Sequence, residues 1–304
     1  MNGNVTSAPE EGRPVVLLRL EHAGHLVAGG WAHRFADALD APLVLARLIN
    51  QSGLRSNVLF PQENLVDGFF EVRRAERLMR ARARWQDRFP EGQALLPMVS
   101  IVNLGVLHLA EALAGIRPGL VVMPASRSWP EVNVVRLATL LDVPVLVARE
   151  GPAQRRMLAA SNLKDVTRPV LRLAAQWASV AGHRLTLLHN VEPILPVMVS
   201  PEGIGWGGLQ QETEERLALA HTQQLEHVAH ALGAEFTVTR ELDTATGIIR
   251  AAASVGAGVV VVGAPSALES SRHPVAERVV AHAPQSVMVV PFTRVGWGGR
   301  PGVA

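Results

Sequence analysis

Short apolar runs rich in β-branched residues alternate with stretches of helical spacing along this chain. Residues 15–20 (VVLLRL) and 42–49 (PLVLARLI) predict strands, separated by apolar positions Leu26, Trp31, Phe35 and Leu39 at intervals of three to five, which predict a helix over 26–39. A long helix is expected over 63–88, stopped by Pro90, then a strand over 94–102, a helix over 104–116, a strand over 119–123, a helix over 131–141 and a strand over 143–148. The strand runs are nearly continuous in apolar residues rather than alternating, as expected of strands buried on both faces of a parallel sheet. Strands that alternate with helices predict an α/β fold with helices on both faces.

The order then begins again. Residues 156–161 predict a strand, 167–181 a helix and 184–189 a strand. A proline-rich loop and a glycine-rich turn at 205–208 lead to a long helix over 210–232. Strands are expected over 235–240, 258–262 and 286–290, with helices over 245–255 and 272–282 between them. The chain therefore reads as two copies of one β-α-β-α-β-α-β-α-β unit, over 14–150 and 155–292, with flexible termini at 1–13 and 293–304. The ends of the copies match best: GLVVMPASRSWPEVNVVRLATLLDVPVLVARE from Gly119 and GVVVVGAPSALESSRHPVAERVVAHAPQSVMVVPF from Gly258 are each strand, small-residue loop, amphipathic helix and strand.

Composition changes this picture mainly by exclusion. The chain of 304 residues is 48% hydrophobic and 18% charged, enough to build a core. Lys+Arg is 29 against Asp+Glu 27, so the isoelectric point near 10.2 does not report a basic surface. With no Cys, no Tyr and Lys164 the one lysine, almost nothing titrates between histidine and arginine, and a small positive excess persists to high pH. General nucleic-acid binding is not indicated. Zero cysteines excludes disulfides, thiolate metal sites and a cysteine nucleophile. The start of the chain lacks a signal-peptide pattern, and the uncharged run 251–268 is broken by three glycines and Pro265. No membrane span and a cytoplasmic location are the expectation.

The repeated order and its end segments resemble a tandem member of the universal stress protein (UspA) family. Residues 156–192 resemble the family's opening strand, polar loop, first helix and second strand. Residues 243–263 (DTATGIIRAAASVGAGVVVVG) are similar to its third helix and fourth strand, and the segments from Pro274 and Val287 to its closing helix and strand. The resemblance covers roughly residues 14–292, more faintly in the first half. It implies two Rossmann-like five-stranded parallel sheets of strand order 3-2-1-4-5, a stress-response role, and pairing of the closing strands, here within one chain. A further homodimer and an unidentified protein partner are compatible with it.

Many members of that family bind ATP. Their pattern has a Gly, a second Gly three positions on, and after nine more residues a Gly-Ser or Gly-Thr pair. Glycines let backbone N–H groups approach phosphates, and the next helix offers its positive N-terminus. Here Gly263 matches the first position, Ser266 stands at the second, the loop is shorter, and His273-Pro274 replaces the last pair. Proline also removes a donor. The family's adenine-reading acid falls at Asn162. In the first half, residues 124–130 (PASRSWP) contain no glycine, and the acid position falls near Leu20 or Glu21. The first site is thus read as lost. In the second half, Asn162, Gly263, Ser266 and His273 would form a degenerate site for ATP, AMP or another small ligand. Loop remnants without a ligand are the weightier alternative, because a broken phosphate loop generally means a lost phosphate site.

Arg73, Arg77, Arg80, Arg84 and Arg88 recur every three or four residues and form one stripe on the predicted helix 63–88. A solvated face is favoured over a contact for an acidic partner, since Glu76 and Arg80 can pair along it. His221, His227 and His230 lie on the helix 210–232; His227 and His230 share a face, and a surface cluster is favoured over a metal site. Gly205-Trp206-Gly207-Gly208 recurs as Gly296-Trp297-Gly298-Gly299, read as aromatic-anchored turns. No nucleophile elbow, zinc-protease helix or Walker loop is present. The functional expectation is a non-enzymatic stress-response binding or regulatory protein without catalytic residues or metal ligands. The alternatives are an ATP- or AMP-binding, slowly hydrolysing protein using its second half, and a scaffold engaging an acidic surface through the stripe Arg73 to Arg88.

Overall fold

The structure is a computed structural model and describes residues 12–19, 25–50, 98–103, 106–126, 131–150, 155–163, 168–193, 207–264 and 274–292. The expected helix 63–88 with its arginine stripe, the residues Ser266 and His273, the segment 296–299 and the chain ends 1–11 and 293–304 lie outside the described residues.

The first half runs β1 (Val15–Arg19), α1 (His25–Ala38), β2 (Leu43–Asn50), β3 (Met98–Asn103), α2 (Val106–Ala114), β4 (Leu120–Pro124), α3 (Glu131–Leu141) and β5 (Val145–Ala148). The second runs β6 (Arg156–Ser161), α4 (Arg168–Val180), β7 (Arg184–Asn190), α5 (Gly207–Leu232), β8 (Glu235–Thr239), α6 (Thr244–Ser254), β9 (Val259–Ala264), α7 (Pro274–His282) and β10 (Ser286–Pro291). Helix α5 starts at Gly207, so two glycines of the expected turn are helical; a first turn has free N–H groups and tolerates glycine there. Helix α7 is described from Pro274, where proline's fixed φ and missing N–H cost nothing.

Among the described residues the strands form one sheet of ten, in the order β3-β2-β1-β4-β5-β10-β9-β6-β7-β8. Each half has the 3-2-1-4-5 order, and pairing within each half is parallel. The halves do not stand as separate sheets. Their closing strands pair antiparallel, with Val289 opposite Val145, Met288 opposite Leu146 and Val287 opposite Val147. Both strands are fully buried. An edge of this kind left open would expose a row of unpaired N–H and C=O groups between apolar side chains, and mutual pairing removes both liabilities.

The two-residue alternation of a strand then divides the core. Val145, Val147, Val287 and Val289 point to one face, into a cluster with Leu137 of α3, Leu109 of α2, Ile248 of α6 and Val279 of α7. Leu146 and Met288 point to the other, with Trp31 and Phe35 of α1, Trp177 of α4 and Leu225 of α5. Each cluster draws on both halves. Phe35 meets Trp177 edge-on at 4.8 Å between ring centroids, and Trp31 lies 5.7 Å from His183, so aromatic contacts span the join on one face. Beyond the join, the Arg149 N–H donates to the Ser286 hydroxyl at 3.1 Å, and its guanidinium donates to the carbonyls of Gln285 and Val280. The Val280 carbonyl, in the last turn of α7, thus gains a donor from the other half.

Candidate functional site

In an open parallel sheet, ligands bind outside the carboxyl ends of the strands where neighbouring crossovers go to opposite faces. In the second half that point lies between β6 and β9: α4, which follows β6, packs on one face and α7, which follows β9, on the other. A cleft of about 570 Å³ opens there. This is the size of ordinary small-molecule sites, roughly 300–1,000 Å³.

Both Asn162, just past β6, and Gly263, near the end of β9, line this cleft. They come from segments 101 residues apart and meet because β6 and β9 are neighbours. Gly263 is not open, however. A Cβ at this position would stand 2.2 Å from Cε1 of Phe292, so the phenyl ring lies directly against the bare Cα. Phe292 follows β10, and its N–H donates to the Ala264 carbonyl at 2.7 Å. The space that glycine leaves is filled from within the chain.

Helix α5 brings His221 across the cleft to His189, the buried penultimate residue of β7. His189 Nδ1 lies 2.9 Å from the Ser161 carbonyl, and its Nε2 lies 3.0 Å from His221 Nδ1. A carbonyl only accepts, so His189 carries its proton on Nδ1 and offers Nε2 as acceptor; His221 must then donate from Nδ1. Burial lowers the His189 pKa, opposed by the Ser161 carbonyl and reinforced by His221. His189 is accordingly neutral at pH 7. His227 and His230 are exposed on the same helix. Among the described residues no group of His, Asp and Glu is arranged to hold a metal ion.

The mouth is framed by a second network at the start of α6. Asn190 Oδ1 accepts from the Thr239 hydroxyl at 3.0 Å and the Glu241 N–H at 2.9 Å. Its Nδ2 donates to the Glu241 carbonyl at 2.9 Å and to Thr244 Oγ1 at 3.3 Å. Thr244 in turn donates to the Glu192 carboxylate at 2.7 Å. Gly247 makes this possible: a Cβ there would stand 2.9 Å from Asn190 Oδ1. Asp243 caps α6 by accepting from the Thr246 N–H at 3.0 Å and also from the Thr246 hydroxyl, and it holds Arg278 of α7 through two bonds at 2.5 and 2.8 Å. The Thr246 hydroxyl, with the Thr246 N–H and Arg278, keeps the Asp243 carboxyl below its ordinary pKa against an opposing desolvation cost.

The family resemblance points to Asn162 and Gly263 but not to His189, Asn190, Glu192, Thr244 or Phe292. No local motif marks these residues. The one available signal is positional: His189 and Asn190 are polar residues at the carboxyl end of a buried parallel strand, directly after Leu187 and Leu188.

Comparison with known proteins gives the family. Residues 154–291 match the model of the universal stress protein family. Over nearly the full length, the fold is similar to a functionally unknown protein from Pseudomonas aeruginosa PAO1, at 14% identity, covering 93% of this chain and 94% of that one with a TM-score of 0.59. It is also similar to a universal stress protein from Archaeoglobus fulgidus DSM 4304, at 15% identity, covering 93% and 97% with a TM-score of 0.57. A universal stress protein in complex with cAMP covers 46% of this chain and 100% of its own, at 16% identity and a TM-score of 0.33. No curated protein matches in sequence. With the family's model matched over residues 154–291 and the same strand order repeated in the first half, the second half of the chain is a universal stress protein domain, and the chain as a whole shares the fold of the full-length structures above.

Proposed function

We propose that this tandem protein is a non-catalytic, cytoplasmic stress protein that binds a small molecule in its second half, over 155–292, while the first half, over 14–150, serves as a fused structural partner. The observation that carries the reading is the cleft at the β6–β9 crossover point, with Asn162 and Gly263 on its wall and the His189–His221 pair inside. A role without catalysis is supported by how its polar groups are occupied. Both nitrogens of His189 are engaged and Glu192 already receives the Thr244 hydroxyl, which leaves them poorly placed as general bases. A second reading, ATP or AMP binding with slow hydrolysis, rests on Gly263, the next-to-last residue of β9, standing ahead of α7. Both readings are tested by following the amide resonances of Asn162, His221 and Phe292 in the full chain during a fragment-library titration, with phosphate release from ATP measured in parallel. Saturable shifts without phosphate release are expected. Silence of those amides to every compound contradicts a small-ligand role, and turnover of ATP contradicts a non-catalytic one.

A further inference from the structure

We infer that the cleft selects a flat, amino-bearing heteroaromatic molecule without phosphate, a nucleoside rather than a nucleotide; this rests on the small-ligand reading above. Three independent features of the described residues converge on it.

The first is steric. A phosphate cradled by bare backbone needs the approach that glycine leaves open. At Gly263 that approach is taken by the Phe292 ring, at a distance where not even a methyl group would fit. An anion there would have to expel a phenyl ring whose backbone is tied to Ala264. The same ring is a stacking surface for a flat molecule.

The second is charge. Among the described lining residues the one formally charged side chain is Glu192, a carboxylate. The two helices whose first turns face the cleft carry Arg250 and Arg278, and each is paired to an acid, Glu241 at 2.7 Å and Asp243 at 2.5 Å. A phosphate would therefore meet a like charge, whereas a neutral or cationic ligand would not.

The third is hydrogen-bond polarity. The Ser161 carbonyl fixes the direction of the whole histidine pair. With His221 donating from Nδ1, its Nε2 is an acceptor when the ring is neutral. Glu192 is an acceptor as well. Acceptors on the wall call for donors on the ligand, which an exocyclic amino group supplies. Around them the walls are apolar, with Leu188, Ile248 and Val262 inside and Leu217 and Val275 at the mouth exposing 43% and 38% of their surface. Exposed apolar side chains at the mouth gain burial when a ring enters.

The test is calorimetric titration of the full chain with adenosine, AMP and ATP at pH 7.5 and fixed ionic strength. Adenosine is expected to bind, AMP about tenfold more weakly, as a like charge near a protein surface implies, and ATP more weakly still. Glu192→Gln keeps an acceptor for Thr244 but removes the charge. It should narrow the adenosine–AMP gap to about twofold. AMP or ATP binding more tightly than adenosine overturns this inference while leaving a small-ligand site intact. So does a non-nucleoside compound that shifts the cleft amides when adenosine does not. Silence of the cleft to all compounds overturns both readings.

Discussion

Val289→Asp tests the join between the halves. Val289 is fully buried, directly opposite the equally buried Val145, and faces a cluster that includes α3 of one half and α7 of the other. Losing a buried valine side chain costs about 1.5–3 kcal/mol. No cation is described in that cluster, so the new carboxyl is expected to remain protonated. Holding an acid of ordinary pKa about 3.9 protonated at pH 7 costs about 4 kcal/mol more. The combined loss, about 6 kcal/mol, is comparable to the whole stability of many domains, about 5–15 kcal/mol. The expected result is a fall in Tm of about 10–20 °C with soluble aggregates in light scattering, because two apolar strand edges become available to other chains. Leu242→Asp, at a residue 62% exposed, is the matched control and should change stability by less than about 0.5 kcal/mol. The pairing has its own check. The chain contains no cysteine, so the double variant Val145→Cys with Val289→Cys can form one internal disulfide only, between antiparallel partners at a separation of about 4.5–5.5 Å. A Val289→Asp protein that stays monomeric with an unchanged Tm, or a cysteine pair that refuses to oxidise, would refute the single-sheet arrangement.

Two further outcomes follow from the site. Gly247→Ala should destabilise by about 1–3 kcal/mol in urea unfolding, although alanine is the better helix former by about 1 kcal/mol, because its Cβ would push Asn190 off four hydrogen bonds; a stabilised variant contradicts the close packing. The pKa values of His189 and His183 are both lowered, chiefly by burial, so below about pH 6.5 the unfolded chain binds protons that the folded one does not. Stability should fall as pH drops from 7.5 to 5.5, by at most about 1.4 kcal/mol per unit for each histidine, and His189→Gln should flatten the slope; a variant with the wild-type slope shows that His189 is not one of the groups responsible.

The fold was legible because its information is local and repeated. Runs such as VVLLRL and GVVVV are nearly continuous in apolar residues, which marks buried parallel strands, and the same order occurs twice. The pairing of β5 with β10 is what the family resemblance implies, and the largely apolar closing strands agree with it, since such an edge left open invites aggregation. The cleft was only half legible. Asn162 and Gly263 follow from the family resemblance, but Phe292 lies at the far end of the closing segment and reaches Gly263 only because β10 lies beside β9. His221 sits among two other histidines on one helix, and spacing alone favours His227 with His230; the partner His189 is 32 residues away on a strand. Such pairs are set by topology, which periodicity does not encode at the level of single side chains.

The most direct test is a crystal structure of the full chain soaked with an equimolar mixture of adenosine and ATP. The account predicts ring density between Asn162, His221 and Phe292, with the phenyl ring still against Gly263 and no phosphate beside it. Triphosphate density seated on Gly263, with Phe292 swung away, contradicts it.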